Sequence, residues 1–240
     1  PSSFRVVRQL LARIDDVDSG QVLPESFTAE IPFERVAQAQ QAAQVLGDQV
    51  YAKFPFVDGM QPADTNLGEL VLNRTWRAAL SVTGADGLPE VGSAGNVLRP
   101  GTQIKLSLRL PPTVDADLAT AALKQLLEAD PPYGAAVRFD PIAAGSGWNA
   151  PAVASWLADA VERSSLARFG KSAVYMGEGG SIPFMGMLGE KFPQAQFLIT
   201  GVLGPQSNAH GPNEFLHILM GKKLTACVAD VLAAHYQQVT

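Results

Sequence analysis

Apolar positions along the chain repeat with a helical period in some stretches and a strand period in others. Val7, Leu10, Leu11 and Ile14 fall at i, i+3, i+4 and i+7, behind Ser2 and Ser3, either of which can cap a first helix. Pro32 opens a second helical stretch, rich in Ala and Gln, that runs to residue 54. Residues 54–64 carry Pro, Gly and Asp and read as loop. A short helix over 67–72 then leads to a strand over 77–82. The clearest strand signal is 103–110, where Ile104, Leu106, Leu108 and Leu110 share one face and Lys105, Ser107 and Arg109 the other. Asp115 caps a helix carrying Leu118, Ala122, Leu126 and Leu127, and 135–139 reads as the next strand. This order predicts an α+β layer, an antiparallel sheet with helices on one face.

The stretch GSGWNAP at 145–151 is a Gly- and Pro-containing boundary, after which the pattern changes. A helix opens at Pro151 with Val153, Trp156, Leu157 and Val161 on one face. A strand at 173–176, a short helix after Pro183, a strand at 197–202 and a last helix over 224–236 follow. That alternation predicts part of an α/β sheet covered by helices. Two domains are expected, 1–145 and 146–240.

Composition narrows the function classes. The 240 residues are 47% hydrophobic and 17% charged, which supports packed cores rather than disorder. A formal net charge of -5 and the lack of any basic stripe argue against nucleic acid as a partner. No apolar run approaches the roughly 20 residues of a membrane span, so no membrane is expected. The first residues lack the order of a signal peptide, and the chain starts at Pro1 rather than Met, which reads as the interior of a longer or processed protein. Cys227 is the single cysteine, so an intrachain disulfide is excluded and a cytoplasmic setting fits.

Candidate chemistry lies on a few loops. His210, in QSNAHGPNE, follows an apolar strand, where open α/β sheets place their ligands. Its imidazole can reach a metal or a substrate, or simply hydrogen-bond within the loop. His217 and His235 sit among apolar or terminal residues and read as packing or surface groups. GEGGSIP at 177–183 connects a strand to a helix. Its glycines admit a close backbone approach, and the free N–H groups at the helix start, with the Ser181 hydroxyl, suit a carboxylate. A capped tight turn explains the same string. Pro183 stands where a nucleophile elbow needs Gly, so Ser181 does not fit that motif. Arg109 suits two-point carboxylate recognition or a solvated strand face. Asn96 is most simply a turn residue. Glu178 and Glu214 are acid–base candidates without a visible partner.

Two strings together carry a resemblance. EGGSIP at 178–183 and SNAHGPNE at 207–214 resemble the C-terminal signature of metallopeptidase family twenty, the di-metal peptidases that include carnosinases, carboxypeptidase G and acetylornithine deacetylase. NRTWRAALSVTGADG and SAGNVLRPGTQIKLSLRLPP resemble the lid of the carnosinase-like branch. The resemblance implies a lid and dimerisation domain over 1–145, its first strand missing, and the C-terminal part of a catalytic domain over 146–240. It implies two divalent metals, zinc or manganese, in the intact parent, and hydrolysis of a small peptide or related amide with a free carboxylate. His210 would be a metal ligand. Gly180 and Ser181 would line the substrate carboxylate, with Asn96 and Arg109 clamping it from the lid of a homodimer. The family's HxD motif, Glu-Glu pair and lid histidine do not occur in these 240 residues. No catalytic residue is therefore expected within the chain, which alone should bind metal weakly at most and be inactive. A non-catalytic dimerisation or peptide-binding module is the alternative.

Overall fold

The computed structural model describes residues 1–179 and 183–239. The chain forms two compact units, Pro1–Asn149 with Tyr175–Gly186, and Ala150–Val174 with Met187–Thr240.

The first unit holds helices α1 (Ser3–Leu11), α2 (Phe33–Leu46), α3 (Gln49–Ala52), α4 (Leu67–Thr75) and α5 (Ala116–Glu128), and strands β1 (Ala79–Asp86) and β2 (Gln103–Arg109). Local chemistry sets the helix ends. Ser2 Oγ accepts from the Arg5 N–H, Asn66 Oδ1 from the Gly68 and Glu69 N–H groups, and Asp115 Oδ1 from the Leu118 N–H. The expected second helix is split: α2 stops at Leu46 because Gly47 takes a φ of 54°, open to glycine but disfavoured for other residues. β1 and β2 pair antiparallel, from Ala79 opposite Arg109 to Asp86 opposite Gln103, with an irregularity between Val82 and Gly84.

Two buried clusters hold this unit together. Val6, Leu10, Ile14, Phe27, Ala119, Leu123 and Leu127 form one, and the inward residues Leu106, Leu108 and Leu110 of the β2 segment pack against it. The sheet thus carries α1 and α5 on one face, the layer that the alternation at 103–110 predicts. Phe27 and Ile14 are fully buried, and each such side chain contributes about 1.5–3 kcal/mol. Ala39, Ala43, Val50, Val71, Leu72 and Trp76 form the second cluster, joining α2, α3 and α4.

The stretch 135–139 enters no ladder among the described residues. Its Val137 and Phe139 still pack against the first cluster. Side chains take its backbone groups: Glu128 Oε1 accepts from the Phe139 N–H at 2.8 Å, and Lys124 Nζ donates to the Phe139 carbonyl at 3.2 Å. The segment before the second unit is likewise fixed. Ser146 Oγ accepts from the Ala116 N–H at the start of α5, and Asn149 Oδ1 accepts from Arg35.

In the second unit, α6 (Ser155–Phe169) packs against α8 (Ile218–Val239) through Leu157, Ala160 and Val231. α7 (Pro183–Lys191) lies between them in sequence. α6 starts four residues later than its apolar pattern suggests, and Gln196 Oε1 holds the Ala154 N–H just before it. α8 starts earlier than expected because His217 Nδ1 caps it, accepting from the Met220 N–H at 3.2 Å. The stretches 173–176 and 197–202 enter no ladder among the described residues. Glu162 Oε2 occupies the Ala173 N–H at 2.9 Å, where a neighbouring strand would otherwise bond. No helix among the described residues is long and apolar enough to cross a membrane.

Candidate functional site

Arg109 ends β2 on its polar face, so the packing of Leu108 and Leu110 on either side fixes where its side chain emerges. Its guanidinium is exposed and makes no hydrogen bond or ion pair with the described residues. Beside it lies the turn at Gly177–Gly179, which rests on the C-terminal end of α4. A methyl group on Gly177 would come within 2.9 Å of the Thr75 Cβ. One on Gly179 would lie 2.6 Å from the Arg74 carbonyl oxygen and 3.5 Å from Arg109 Nη1. Neither glycine has a positive φ, so space rather than backbone freedom demands them. Thr75 is itself held by its hydroxyl bond to the Val71 carbonyl at 2.8 Å, and Arg74 Nη1 donates to the Val50 carbonyl in α3. The structure therefore brings Arg109 and the glycine turn together. Gly180 and Ser181 lie outside the described residues. Sequence reasoning missed Arg74 and Thr75, because nothing in a helix end signals that a distant turn will rest on it.

Asn96 is exposed in the 87–102 connection, beyond the Asp86–Gln103 end of the hairpin. Arg109 stands at the opposite end, roughly 20 Å away for seven strand residues. One copy of the chain does not bring the two together.

His210 belongs to the second unit and is exposed. The loop closes on itself: the Phe215 N–H donates to the Ser207 carbonyl, the buried Ser207 hydroxyl to the Gly204 carbonyl at 2.7 Å, and Asn208 Nδ2 to the Pro212 carbonyl at 2.6 Å. His210 has a φ of 61°, and its backbone N–H donates to Glu214 Oε2 at 3.1 Å. Glu214 thus anchors the histidine backbone. Glu178 Oε1 likewise accepts a backbone bond, from the Gly179 N–H at 3.0 Å. Of the other histidines, His217 caps α8 and His235 lies against Trp156 with ring centroids 5.3 Å apart. Cys227 is half-buried.

Among the described residues no three of His, Cys, Asp and Glu converge to hold a metal ion. A catalytic zinc takes about three protein ligands, so a lone imidazole does not fit a two-metal centre, and no step is assigned through one. What the arrangement offers is an exposed guanidinium beside a backbone turn, a chemistry suited to a carboxylate.

No protein-family model matches the chain. It is 30% identical over 166 residues to the cysteinylglycine-S-conjugate dipeptidase of Corynebacterium striatum, a match spanning 66% of this chain and 34% of that protein. Three solved structures share its fold at 18% identity. The dipeptidase Dug1p of Saccharomyces cerevisiae superposes with a TM-score of 0.69, covering 96% of this chain and 49% of that one. Human carnosine dipeptidase 1 gives 0.62, with 97% and 49% covered. The M20 family metallo-carboxypeptidase Sso-CP2 of Sulfolobus solfataricus gives 0.67, with 97% and 52% covered. The chain spans about a third of the curated relative and half of each solved chain. The resemblance read from its motifs is borne out, and so is the fold class.

Proposed function

We propose, from the chain's relatedness to the di-metal peptidases of metallopeptidase family twenty, that it serves a dipeptidase as the lid and the C-terminal part of the catalytic domain. The substrate would be a dipeptide or related amide with a free carboxylate, of which a cysteinylglycine conjugate is one member. The observation that supports this most is Arg109, whose guanidinium is unpaired among the described residues and faces the glycine turn at Gly179. A carboxylate beside Arg109 would gain two-point bonds from its guanidinium. His210 would be one ligand of the intact parent's zinc or manganese pair. Such a pair supplies an activated water when bound, but its remaining donors are not among the described residues. The chain alone would therefore grip substrate without cleaving it.

The test is a titration of the 240-residue chain with cysteinylglycine and its C-terminal amide, following the Arg109 Nε–H resonance. The acid should shift that resonance and the amide should not. Equal responses would remove the carboxylate reading. The single-imidazole donor set also favours a second reading, a non-catalytic peptide-binding or dimerisation module. Homodimer formation through the lid, with Asn96 reaching the partner copy, belongs to both readings, and sedimentation showing a strict monomer at high concentration would exclude it.

A further inference from the structure

An open cleft of about 450 Å³ lies in the first unit where α5 ends, and Arg13, Pro24, Phe27, Ala122, Leu126 and Asp130 are among the residues that line it. That volume is within the range of small-ligand sites. Ala122 and Leu126 lie on successive turns of α5 and give the cleft an apolar wall. Arg13 is held in place by three backbone carbonyls. Its Nη1 donates to Leu126 at 3.0 Å and to Ala129 at 2.7 Å, and its Nη2 donates to Asp130 at 2.6 Å. These bonds close the C-terminal end of α5, whose last carbonyls have no partner within the helix. Of the five guanidinium N–H groups, the Nε–H and one on Nη2 are left without a partner among the described residues.

Arg13 bonds carbonyls rather than a carboxylate, so no counter-charge cancels it. Asp130 adjoins it through the backbone, yet the Asp130 carboxylate forms no ion pair with the guanidinium among the described residues. Asp130 is exposed and Arg13 half-buried. One cleft thus holds a positive and a negative group, each uncancelled, beside an apolar wall. We propose that it binds the zwitterion of a free α-amino acid with an apolar side chain. The ligand carboxylate takes the spare Arg13 donors, a charge-assisted contact. Its ammonium faces the Asp130 carboxylate and the carbonyl end of α5, where the helix dipole favours a cation. Its side chain lies on Ala122 and Leu126. A simple anion fits less well, because Asp130 and the helix end both oppose it. Free amino acids are also what the activity proposed above releases, but the cleft is read from its own residues and stands without that activity.

The experiment titrates the 240-residue chain with L-leucine, N-acetyl-L-leucine and L-leucinamide. It observes Arg13 Nε–H, the Ala122 and Leu126 methyl groups, and Arg109 Nε–H together. Leucine should move the Arg13 and methyl signals. The two analogues, each lacking one charge, should bind at the cleft about tenfold more weakly, the effect of one lost charge-assisted bond. Asp130→Asn should weaken leucine to the level of the N-acetyl compound. Asp130 has a φ of 41°, which asparagine tolerates, so the backbone is kept. Silent Arg13 and methyl signals would overturn the proposal, as would a response confined to Arg109 Nε–H, which would place the amino acid in the other niche. N-acetyl-leucine binding as tightly as leucine would also overturn it, since the cleft would then be a plain anion site. Leucinamide binding as tightly would do the same, leaving an amine site. The unsubstituted chain decides among these outcomes, so the result does not depend on the variant folding.

Discussion

The surroundings of Arg109 and of His210 are built in opposite ways. Arg109 stands at the end of a strand whose inward residues pack on a buried cluster, and its neighbouring turn is pressed against a helix end. His210 stands in a loop held by its own internal bonds. Besides His210, three residues other than glycine in that loop have a positive φ: Gln206, Asn208 and Asn213. Each such conformation costs about 1 kcal/mol, least for Asn. The difference teaches that the place where Arg109 emerges is a product of the first unit's own core, whereas the setting of His210 is a shaped loop held by local bonds.

The sharpest way to break the contrast is metal. If the His210 loop lacks partners in this chain, dialysis against zinc or manganese should leave well under one equivalent bound, and dipeptides should remain uncleaved. Two equivalents of tightly bound metal per chain would end the contrast at once.

Arg109 is the next largest effect. Arg109→Ala should weaken binding of a free-acid dipeptide by about 1.5–3 kcal/mol, the value of a charge-assisted hydrogen bond. Arg109→Lys should restore only part of it, because an ammonium cannot make the planar two-point contact. Titration calorimetry on both variants checks this. A change within about 0.5 kcal/mol, normal for a solvated surface residue, would place Arg109 on an ordinary strand face.

Gly179→Ala tests the floor of the niche. Its methyl would meet a backbone carbonyl at 2.6 Å, so the turn must shift. We expect a loss of about 1–3 kcal/mol in stability, the range for overpacking, together with a weaker carboxylate response at Arg109. Gly145→Ala is the control: it has a negative φ and open space around it, and should change stability by under about 0.5 kcal/mol. Equal melting of the two variants would show that the turn does not rest on α4.

The sequence made one half of this picture easier to read than the other. The alternation at 103–110 located β2, its face and the exposure of Arg109, because a period of two leaves no other arrangement once one side is apolar. Caps at Ser2 and Asp115 were legible for the same local reason. The stretches 135–139, 173–176 and 197–202 have strand composition, yet a ladder needs a neighbour, and neighbours are not written in the segment itself. In two of them an N–H group went to a side chain instead, that of Phe139 to Glu128 and that of Ala173 to Glu162. The approach of Gly179 to Arg74 was invisible for a similar reason: it joins residues more than a hundred positions apart. Glu214 lay only four residues from His210, but the sequence could not show that it would hold a backbone N–H rather than a proton in flight.

The smallest effect is read with acid on the α6–α8 contact of the second unit. In the second unit, Ser164 Oγ donates to Asp230 Oδ2 at 2.7 Å, and Arg168 donates to both Asp230 oxygens across the α6–α8 contact. The Ser164 hydroxyl first, and Arg168 second, hold the Asp230 carboxyl below its ordinary value. A carboxyl lowered on folding adds stability above its unfolded pKa of about 3.9, and that stability is lost as pH falls through the lower folded value. Glu162 is lowered too, by Ser172 and by the Ala173 N–H, so the unit carries two groups of this sign. The first unit carries groups of both signs, Asp15 raised by burial, Asp16 lowered by its bonds from Ser19 and Glu128 lowered by its bond from Lys124, so acid does not rank the two units. Asp230→Asn isolates the clasp, since Glu162 titrates alike in both proteins. The wild type should melt higher than the variant near neutral pH, and the gap should close below about pH 4. A gap that stays constant down to that pH would mean that Asp230 holds the helices by its shape and hydrogen bonds rather than by its charge.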